Sequence, residues 1–306
     1  MSPIPVPIFM LAALAVAAPL SAQDQPPPPR DGQDIVVTGQ AESKAREAAV
    51  RGLTTAITTR SDGQVARFSD PVCAASVGFE PQYDRIVVER ITAAARDAGI
   101  AVDKPGCAPN LTVVMVDNGQ AVLKALYKAR PGTFSAIGTA ERKRLLADSG
   151  PVHVLTLSEL RDRDGERVGS VSDPSGRGAN PMPMLLVHSV SIINPSTRQD
   201  IAGSVVLIDR AAAMGKTLRQ LGDYAAMRAL ARTRDAGSGD NTILKLFGTD
   251  AAAAPAELTS FDRAYLRGLY RGPATRSYLG AVSSIASSIN RTGAPDAVAE
   301  PVPTPE

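Results

Sequence analysis

The stretch CAASVGFEPQYDRIVVERITAAARDAGIAVDKPGC, residues 73–107, carries the clearest structural pattern of this chain. Inside it, apolar residues recur at helical spacing opposite a charged side, which predicts an amphipathic helix of about four turns. Gly99 stands where a left-handed C-terminal cap would end that helix. The β-branched run Leu111–Asp117 follows and predicts a buried strand. We therefore expect a helix that leads into a buried strand.

The two ends of this stretch, Cys73 and Cys107, are the only cysteines of the chain. A redox-active pair would favour the short spacing Cys-x-x-Cys, which this pair does not have. We expect a structural disulfide, and the alternative is two buried free thiols. In the chain-entropy treatment, closing a loop of this length stabilises the fold by about 3–4 kcal/mol.

The N-terminus has the pattern of a signal peptide over residues 1–22. Residues 8–18 form an apolar run that is short for a bilayer span, and small residues lead to a cleavage point after Ala22. A retained N-terminal anchor is the alternative. We expect a periplasmic or secreted protein with no transmembrane segment in the mature chain. Export would place both cysteines in an oxidising compartment.

Composition divides the rest of the chain into three parts. Residues 23–64 are a Pro-rich tether, expected to be disordered apart from a short helix within residues 41–59. Residues 65–290 are expected to form one α+β domain, with a mixed or mostly antiparallel sheet and helices on one side. Residues 291–306 are a Pro- and Ala-rich tail without a core of its own.

Three element predictions shape the expected fold. One long helix is predicted for residues 211–231. The β-rich run 184–193 is predicted to turn and form an antiparallel hairpin with residues 204–209. Thr259 is a predicted N-cap with Asp262 three residues later, which indicates the start of another helix.

Charge and composition argue against several function classes. The chain has 33 basic and 31 acidic side chains, so its balance gives no electrostatic case for nucleic-acid binding. Its only histidines, His153 and His188, lie in apolar strands, and a metal site would need a carboxylate such as Asp209 as a third ligand. Neither a nucleophile elbow nor a phosphate-binding glycine motif occurs. We expect no catalytic residues, no metal and no cofactor, and the position of the histidines relative to Asp209 is the decisive observation.

The order of the predicted elements resembles that of zincin-type metalloproteases, in which the helix after the last strand carries His-Glu-x-x-His. The corresponding run here, Thr217–Arg228, contains no histidine. This resemblance implies a zincin-like scaffold without its metal. Three other stretches resemble a family of uncharacterised secreted alphaproteobacterial proteins, a resemblance that implies no activity: Ala66–Cys73, Gly106–Asn110 and Leu258–Leu266.

A short segment of the tether, Asp34–Gly39, resembles the TonB box of TonB-dependent outer-membrane receptors. The resemblance implies that residues 34–40 bind an envelope protein as an added strand, with main-chain hydrogen bonds to a sheet edge of the partner. The contact residues would be Ile35, Val36, Val37, Thr38 and Gly39. A linker with a chance β-branched run is the alternative.

Three functions remain open on these grounds. The leading hypothesis is a non-enzymatic exported envelope or periplasmic interaction protein. The alternatives are a degenerate zincin-like hydrolase and a small-ligand carrier with an apolar cleft in its sheet.

Overall fold

The structure is a computed structural model that describes residues 38–167, 169–171, 182–184, 195–236 and 241–292. The chain divides into two units, Met1–Ala41 and Glu42–Glu306, and the elements below belong almost entirely to the second.

Several predictions concern residues outside this description. They include the signal peptide over residues 1–22, most of the tether, His188 and most of the C-terminal tail. These stay predictions.

A four-stranded mixed sheet forms the centre of the domain. In spatial order, its strands are β1 (Ala74–Val77), β2 (Leu111–Val116), β6 (Thr197–Asp209) and β3 (Val152–Asp162). The β1–β2 and β2–β6 pairs are parallel, and the β6–β3 pair is antiparallel. Two short strands, β4 (Gly169–Val171) and β5 (Met182–Met184), pair separately. The predicted α+β class with a mixed sheet is confirmed.

The predicted hairpin between residues 184–193 and residues 204–209 is wrong. Ser204–Asp209 is paired along one edge with Leu111–Val116 of β2 and along the other edge with β3, where Val152 faces Ile208. A strand has only two hydrogen-bonding edges, and β2 and β3 occupy both of them here. Residues 185–193 lie outside the described residues.

On one face of the sheet two helices pack against the strands and two more pack behind these helices, and all four contribute to the main hydrophobic core. Every second residue of β2, namely Leu111, Val113 and Met115, is buried in that core. This alternation arises because successive side chains of a strand point to opposite faces. The four helices are α2 (Pro81–Asp97), α6 (Leu218–Leu230), α7 (Ser260–Tyr270) and α8 (Tyr278–Arg291).

The other face is covered by α3 (Gly119–Ala129) and α4 (Thr139–Ala147), with a smaller core around Leu123, Phe134 and Leu155. The prediction that helices lie on one side only is therefore wrong. Its physical reason is visible in β2 and in residues 205–208 of β6, which are apolar at nearly every position and so need cover on both faces.

The folded body begins earlier than the predicted boundary at residue 65. Helix α1 (Thr38–Ile57) buries Val50 and Ile57 in the main core, each with about 1% of its surface exposed. At its end, Thr58 forms an antiparallel bridge with Thr233. The second half of α1 is thus part of the domain, and the predicted tether is too long at its C-terminal end.

The single helix predicted for residues 211–231 is two helices, α5 (Arg210–Ala213) and α6. Gly215 has φ = 78°, a left-handed conformation that interrupts a right-handed helix. Thr217 then caps α6 by accepting a hydrogen bond from the backbone N–H of Gln220, in a capping box. The predicted cap of Thr259 on α7, with Asp262, is confirmed.

The two cysteines form a disulfide between Cys73 and Cys107, with their Cα atoms 6.1 Å apart. They stand just before β1 and shortly before β2, so the bond joins the starts of two neighbouring parallel strands. Asn110 strengthens this junction, because its side chain accepts from the N–H of Cys73 (2.8 Å) and donates to the carbonyl of Pro71 (2.9 Å). Among the helices of the described residues, none has the length and apolar character that a membrane crossing requires.

Candidate anion-binding site

A cavity of about 510 Å³ lies where the chain segments that follow α1, α4 and α6 meet strand β3. We call it the arginine cavity. Residues from each of these elements form its wall, and five of them are arginines. The lining residues are Thr59, Arg60, Glu141, Arg144, Leu145, Ala147, Asp148, Val154, Thr156, Arg228, Arg232, Thr233 and Arg234.

The charge of this lining is strongly positive. Five guanidinium groups face two lining carboxylates, those of Glu141 and Asp148, so the lining residues carry a net charge of +3, and Asp235, outside the lining, pairs with Arg228. The whole chain carries only +2 over 306 residues. The lining of the cavity is therefore locally positive, although the charges of the whole chain nearly balance.

Arg232 is the most buried arginine of the cavity lining, with 6% of its side chain exposed. Its Nη2 forms a hydrogen-bonded ion pair with Glu141 of α4, whereas its buried Nη1 has no partner among the described residues. Its backbone has φ = 52°, a left-handed conformation that is rare for a residue other than glycine. An arginine is thus kept at a helix end where glycine would be the usual residue.

Arg228 lies one turn earlier on α6 and is also largely buried. It forms hydrogen bonds with the Tyr224 hydroxyl and the Asp235 carboxylate, while its Nε has no partner among the described residues. Burial acts to lower the pKa of Arg228, but Tyr224 and Asp235 raise it by more, so its pKa lies above the ordinary value. The guanidinium therefore stays charged inside the protein.

The other three arginines of the cavity, Arg60, Arg144 and Arg234, are exposed at its mouth. None of them forms an ion pair with a carboxylate of the described residues. Guanidinium groups present several donors in a planar fork that matches carboxylate and phosphate oxygens. Arg144 donates only to the carbonyl of Ala140, and Arg60 lies over the ring of Tyr278, so no described carboxylate neutralises these three groups.

A second cavity, of about 460 Å³, also contains arginines, namely Arg67, Arg163 and Arg198. Two of them are already occupied within the protein. Arg67 donates to the carbonyls of Leu269 (3.1 Å) and Gly272 (3.0 Å), and Arg198 forms an ion pair with Asp200 (3.0 Å). These arginines hold the end of α7 and strand β6 in place, so this cavity is a weaker candidate for a ligand.

Two of the three residues considered as metal ligands from the sequence lie close together. His153 of β3 and Asp209 of β6 both lie beside Gly119 at the start of α3. His188 lies outside the described residues. Within the part of the chain that the structure describes, no three His, Cys, Asp or Glu side chains are arranged to hold a metal ion.

The proposed docking strand is described only at its end. Thr38 and Gly39 form the first turn of α1 in the chain without a partner, and their docking onto a partner stays a prediction. This helix follows from Ala41–Ala49, which is rich in alanine, glutamate, lysine and arginine, residues that favour a helix. Ile35, Val36 and Val37 lie outside the described residues.

The sequence alone did not indicate the arginine cavity, because its residues are spread along the chain from Thr59 to Arg234. One local signal was present. Three arginines fall within the seven residues RALARTR at 228–234, at the end of a predicted helix. Arginines at that spacing usually indicate a solvated helix face, and only the tertiary structure shows that these line a cavity.

Comparison with protein-family models, with curated proteins and with solved structures finds no match to this chain. Its function must therefore be argued from its own residues.

Proposed function

We propose that this chain is a non-enzymatic, exported envelope or periplasmic protein whose folded domain binds an anionic ligand in the arginine cavity. The observation that carries the proposal is the wall of five arginines against two carboxylates, with three of the arginines free of any described carboxylate. The class of ligand is a molecule with several carboxylate, phosphate or sulfate groups.

The arrangement of the arginines favours binding of such a ligand. Exposed arginines at the mouth attract an anion by long-range charge, and buried arginines further in bind it more strongly because water screens them less. The buried Nη1 of Arg232 and Nε of Arg228 have no described partner, and a buried donor without a partner destabilises the protein. A small rearrangement that brings either donor to a ligand oxygen would remove that penalty.

The cavity also bears on the alternative of a small-ligand carrier. That hypothesis expected an apolar cleft, whereas the arginine cavity is charged on several sides. Its aliphatic lining, Leu145, Ala147 and Val154, suits a ligand with a carbon framework as well as charged groups. We therefore favour an organic polyanion over an apolar ligand.

Export is supported by two features. The sequence begins with a signal-peptide pattern over residues 1–22, and Cys73 and Cys107 are bonded, which is typical of oxidising compartments. A location outside the cytoplasm would also give the arginine cavity access to extracellular or envelope anions.

Calorimetric titration of residues 23–306 with benzene-1,3,5-trisulfonate tests the binding proposal, because the three sulfonates of this probe keep their charge near neutral pH. Replacing Arg144 and Arg234 by Gln should weaken binding on the order of 10-fold or more, since each lost charge removes roughly 1 kcal/mol. The matched control is Arg85→Gln with Arg96→Gln on α2, which changes net charge equally but lies away from the cavity.

Equal weakening in the cavity variant and the control would show general charge attraction instead of a site. Absence of measurable binding to the native protein at low ionic strength would contradict the proposal outright.

We further propose that this chain also binds a protein partner: Ile35, Val36, Val37, Thr38 and Gly39 add as a strand to an envelope protein. The support is the resemblance of Asp34–Gly39 to a TonB box and its place ahead of the folded domain. A peptide of residues 34–40, titrated into the periplasmic domain of a TonB-type protein, should shift its NMR signals. The same peptide with Val37→Pro should not, because it lacks one amide donor. Absence of shifts at millimolar native peptide would make the segment a linker.

A further inference from the structure

His153 of β3 is completely enclosed and precedes Val154, a lining residue of the arginine cavity. None of its side chain is exposed, and neither ring nitrogen has a hydrogen-bond partner among the described residues. Buried polar groups without partners are uncommon in folded proteins and call for an explanation. A plain apolar residue would fill the same space without leaving two ring nitrogens unpaired.

The backbone of α3 closes over one side of the imidazole. A Cβ atom on Gly119 would lie 2.5 Å from Cδ2 of His153, so only glycine fits at this position. The N–H of Gly119 donates to Oδ1 of Asp209 (2.7 Å). The charge of Asp209 is therefore already partly satisfied by the start of α3.

Asp148 approaches the other side of the imidazole from the end of α4. Its Oδ2 lies 3.8 Å from Nδ1 of His153, which is too long for a hydrogen bond but within reach of an ion pair with a protonated ring. Its Oδ1 accepts from the N–H of Gly150 (2.9 Å). Half of the Asp148 side chain is exposed, so its carboxylate has room to move.

Asp148 also lines the arginine cavity, where it is one of only two carboxylates. The same side chain thus faces both the buried imidazole and the anion-binding wall. If Asp148 moves toward His153, or if His153 becomes charged, the electrostatic potential inside the arginine cavity changes.

We propose that protonation of His153 draws the carboxylate of Asp148 onto Nδ1 and thereby strengthens anion binding in the arginine cavity. This inference rests on the proposed function. The proton comes from solvent, and the imidazolium then offers an N–H to Oδ2 of Asp148. When an ion pair neutralises that carboxylate, Glu141 is the only other lining carboxylate that repels a bound anion.

The charged groups around His153 determine the sign of the effect. Asp148 after α4 and Asp209 at the end of β6 both favour the imidazolium, and the first turn of α3 carries no acidic side chain. The arginines that share the cavity with Asp148 disfavour it by repulsion. A bound anion cancels that repulsion, so the anion and the proton should favour each other's binding, as thermodynamic linkage requires.

The test measures the affinity for benzene-1,3,5-trisulfonate at pH 5.5 and pH 7.5, a range that brackets the ordinary titration of histidine. Residues 23–306 with the native sequence should bind on the order of 5-fold more tightly at the lower pH. His153→Gln and Asp148→Asn should both abolish that difference. Asp148→Asn should also bind more tightly at pH 7.5, because it removes a negative charge from the wall.

His188→Gln is the matched control, since it removes the only other histidine of the chain and should leave the pH dependence unchanged. Asp148 is half exposed, so its variant provides the answer if the buried His153→Gln does not fold. A pH dependence that persists in Asp148→Asn overturns the inference, as does equal affinity of the native protein at both pH values. A native protein that does not bind the probe at either pH contradicts the proposed function itself.

Discussion

Arg232 donates a hydrogen bond from Nη2 to Oε1 of Glu141, so the chain after α6 is joined to α4 by an ion pair inside the arginine cavity. Glu141 is 42% exposed and its carboxylate sits on a guanidinium that is almost completely buried. The Glu141 carboxylate is therefore already bound to Arg232, the most buried arginine of the cavity lining. An incoming anion must compete with this residue or bind beside it.

Glu141→Gln should increase affinity for benzene-1,3,5-trisulfonate by roughly 3- to 10-fold, because it removes one of two negative charges from the cavity wall. Glutamine keeps the length of the side chain and can still accept from Arg232. Glu89→Gln, at an exposed position of α2, is the control and should leave the affinity nearly unchanged. If the Glu141 variant binds more weakly, Glu141 positions the arginine instead of competing for it.

Arg232→Gly and Arg232→Ala separate backbone strain from side-chain function. Both remove the guanidinium, so both should weaken anion binding and lose the ion pair with Glu141. At φ = 52°, however, glycine is unstrained and alanine is not, so the glycine variant should be more stable by about 1 kcal/mol. Chemical denaturation measures this difference.

The neighbouring Ala231 provides the control for that comparison, because its φ is −117°. Ala231→Gly should lower stability, since it loses a buried methyl group without relieving strain. Equal stability of the two Arg232 variants would mean that the left-handed conformation carries no penalty here.

Ile57→Ala should lower the free energy of unfolding by about 2–4 kcal/mol, because Ile57 is buried in the main core. Arg51→Ala, at an exposed position of the same helix, should change it by less than about 0.5 kcal/mol. A chain that begins at Val65 lacks all of α1 together with Thr59 and Arg60 of the cavity. This shorter chain should therefore melt at a lower temperature and bind the anion less tightly. An unchanged melting temperature would support the domain boundary at residue 65.

Replacing both Cys73 and Cys107 by serine should lower stability by roughly 2–5 kcal/mol. Peptide mapping of the native protein without reduction should recover one linked pair. Neither cysteine lines the arginine cavity, so the double variant, measured below its melting temperature, should keep its affinity for the trisulfonate probe. Two alkylatable thiols in exported protein would contradict the bond.

The parts of the fold that the sequence predicted are those with strong local signals. Helix α2 shows one apolar stripe, β2 is a β-branched run, and Thr259 with Asp262 forms a capping box that local spacing alone specifies. The disulfide was predicted because only two cysteines exist.

The parts that were missed depend on contacts between distant residues. Strand β6 lies between β2 and β3, and no local pattern indicates which neighbours a strand will take. The sequence predicts a helix within residues 41–59 but not its packing into the main core, because that packing depends on residues far along the chain. The arginine cavity was missed for the same reason, since its wall exists only after four separate elements have packed together.

The bond between Cys73 and Cys107 has a further consequence for a chain that is pulled from its ends. Strand β1 and helix α2 lie within a covalently closed loop with a sequence separation of 34 residues. Mechanical unfolding of the oxidised domain should therefore withhold about 110–120 Å of contour length, the extended reach of that loop. Under a reductant the same molecule should lengthen by that amount, so a single-molecule force trace would report the redox state of its surroundings.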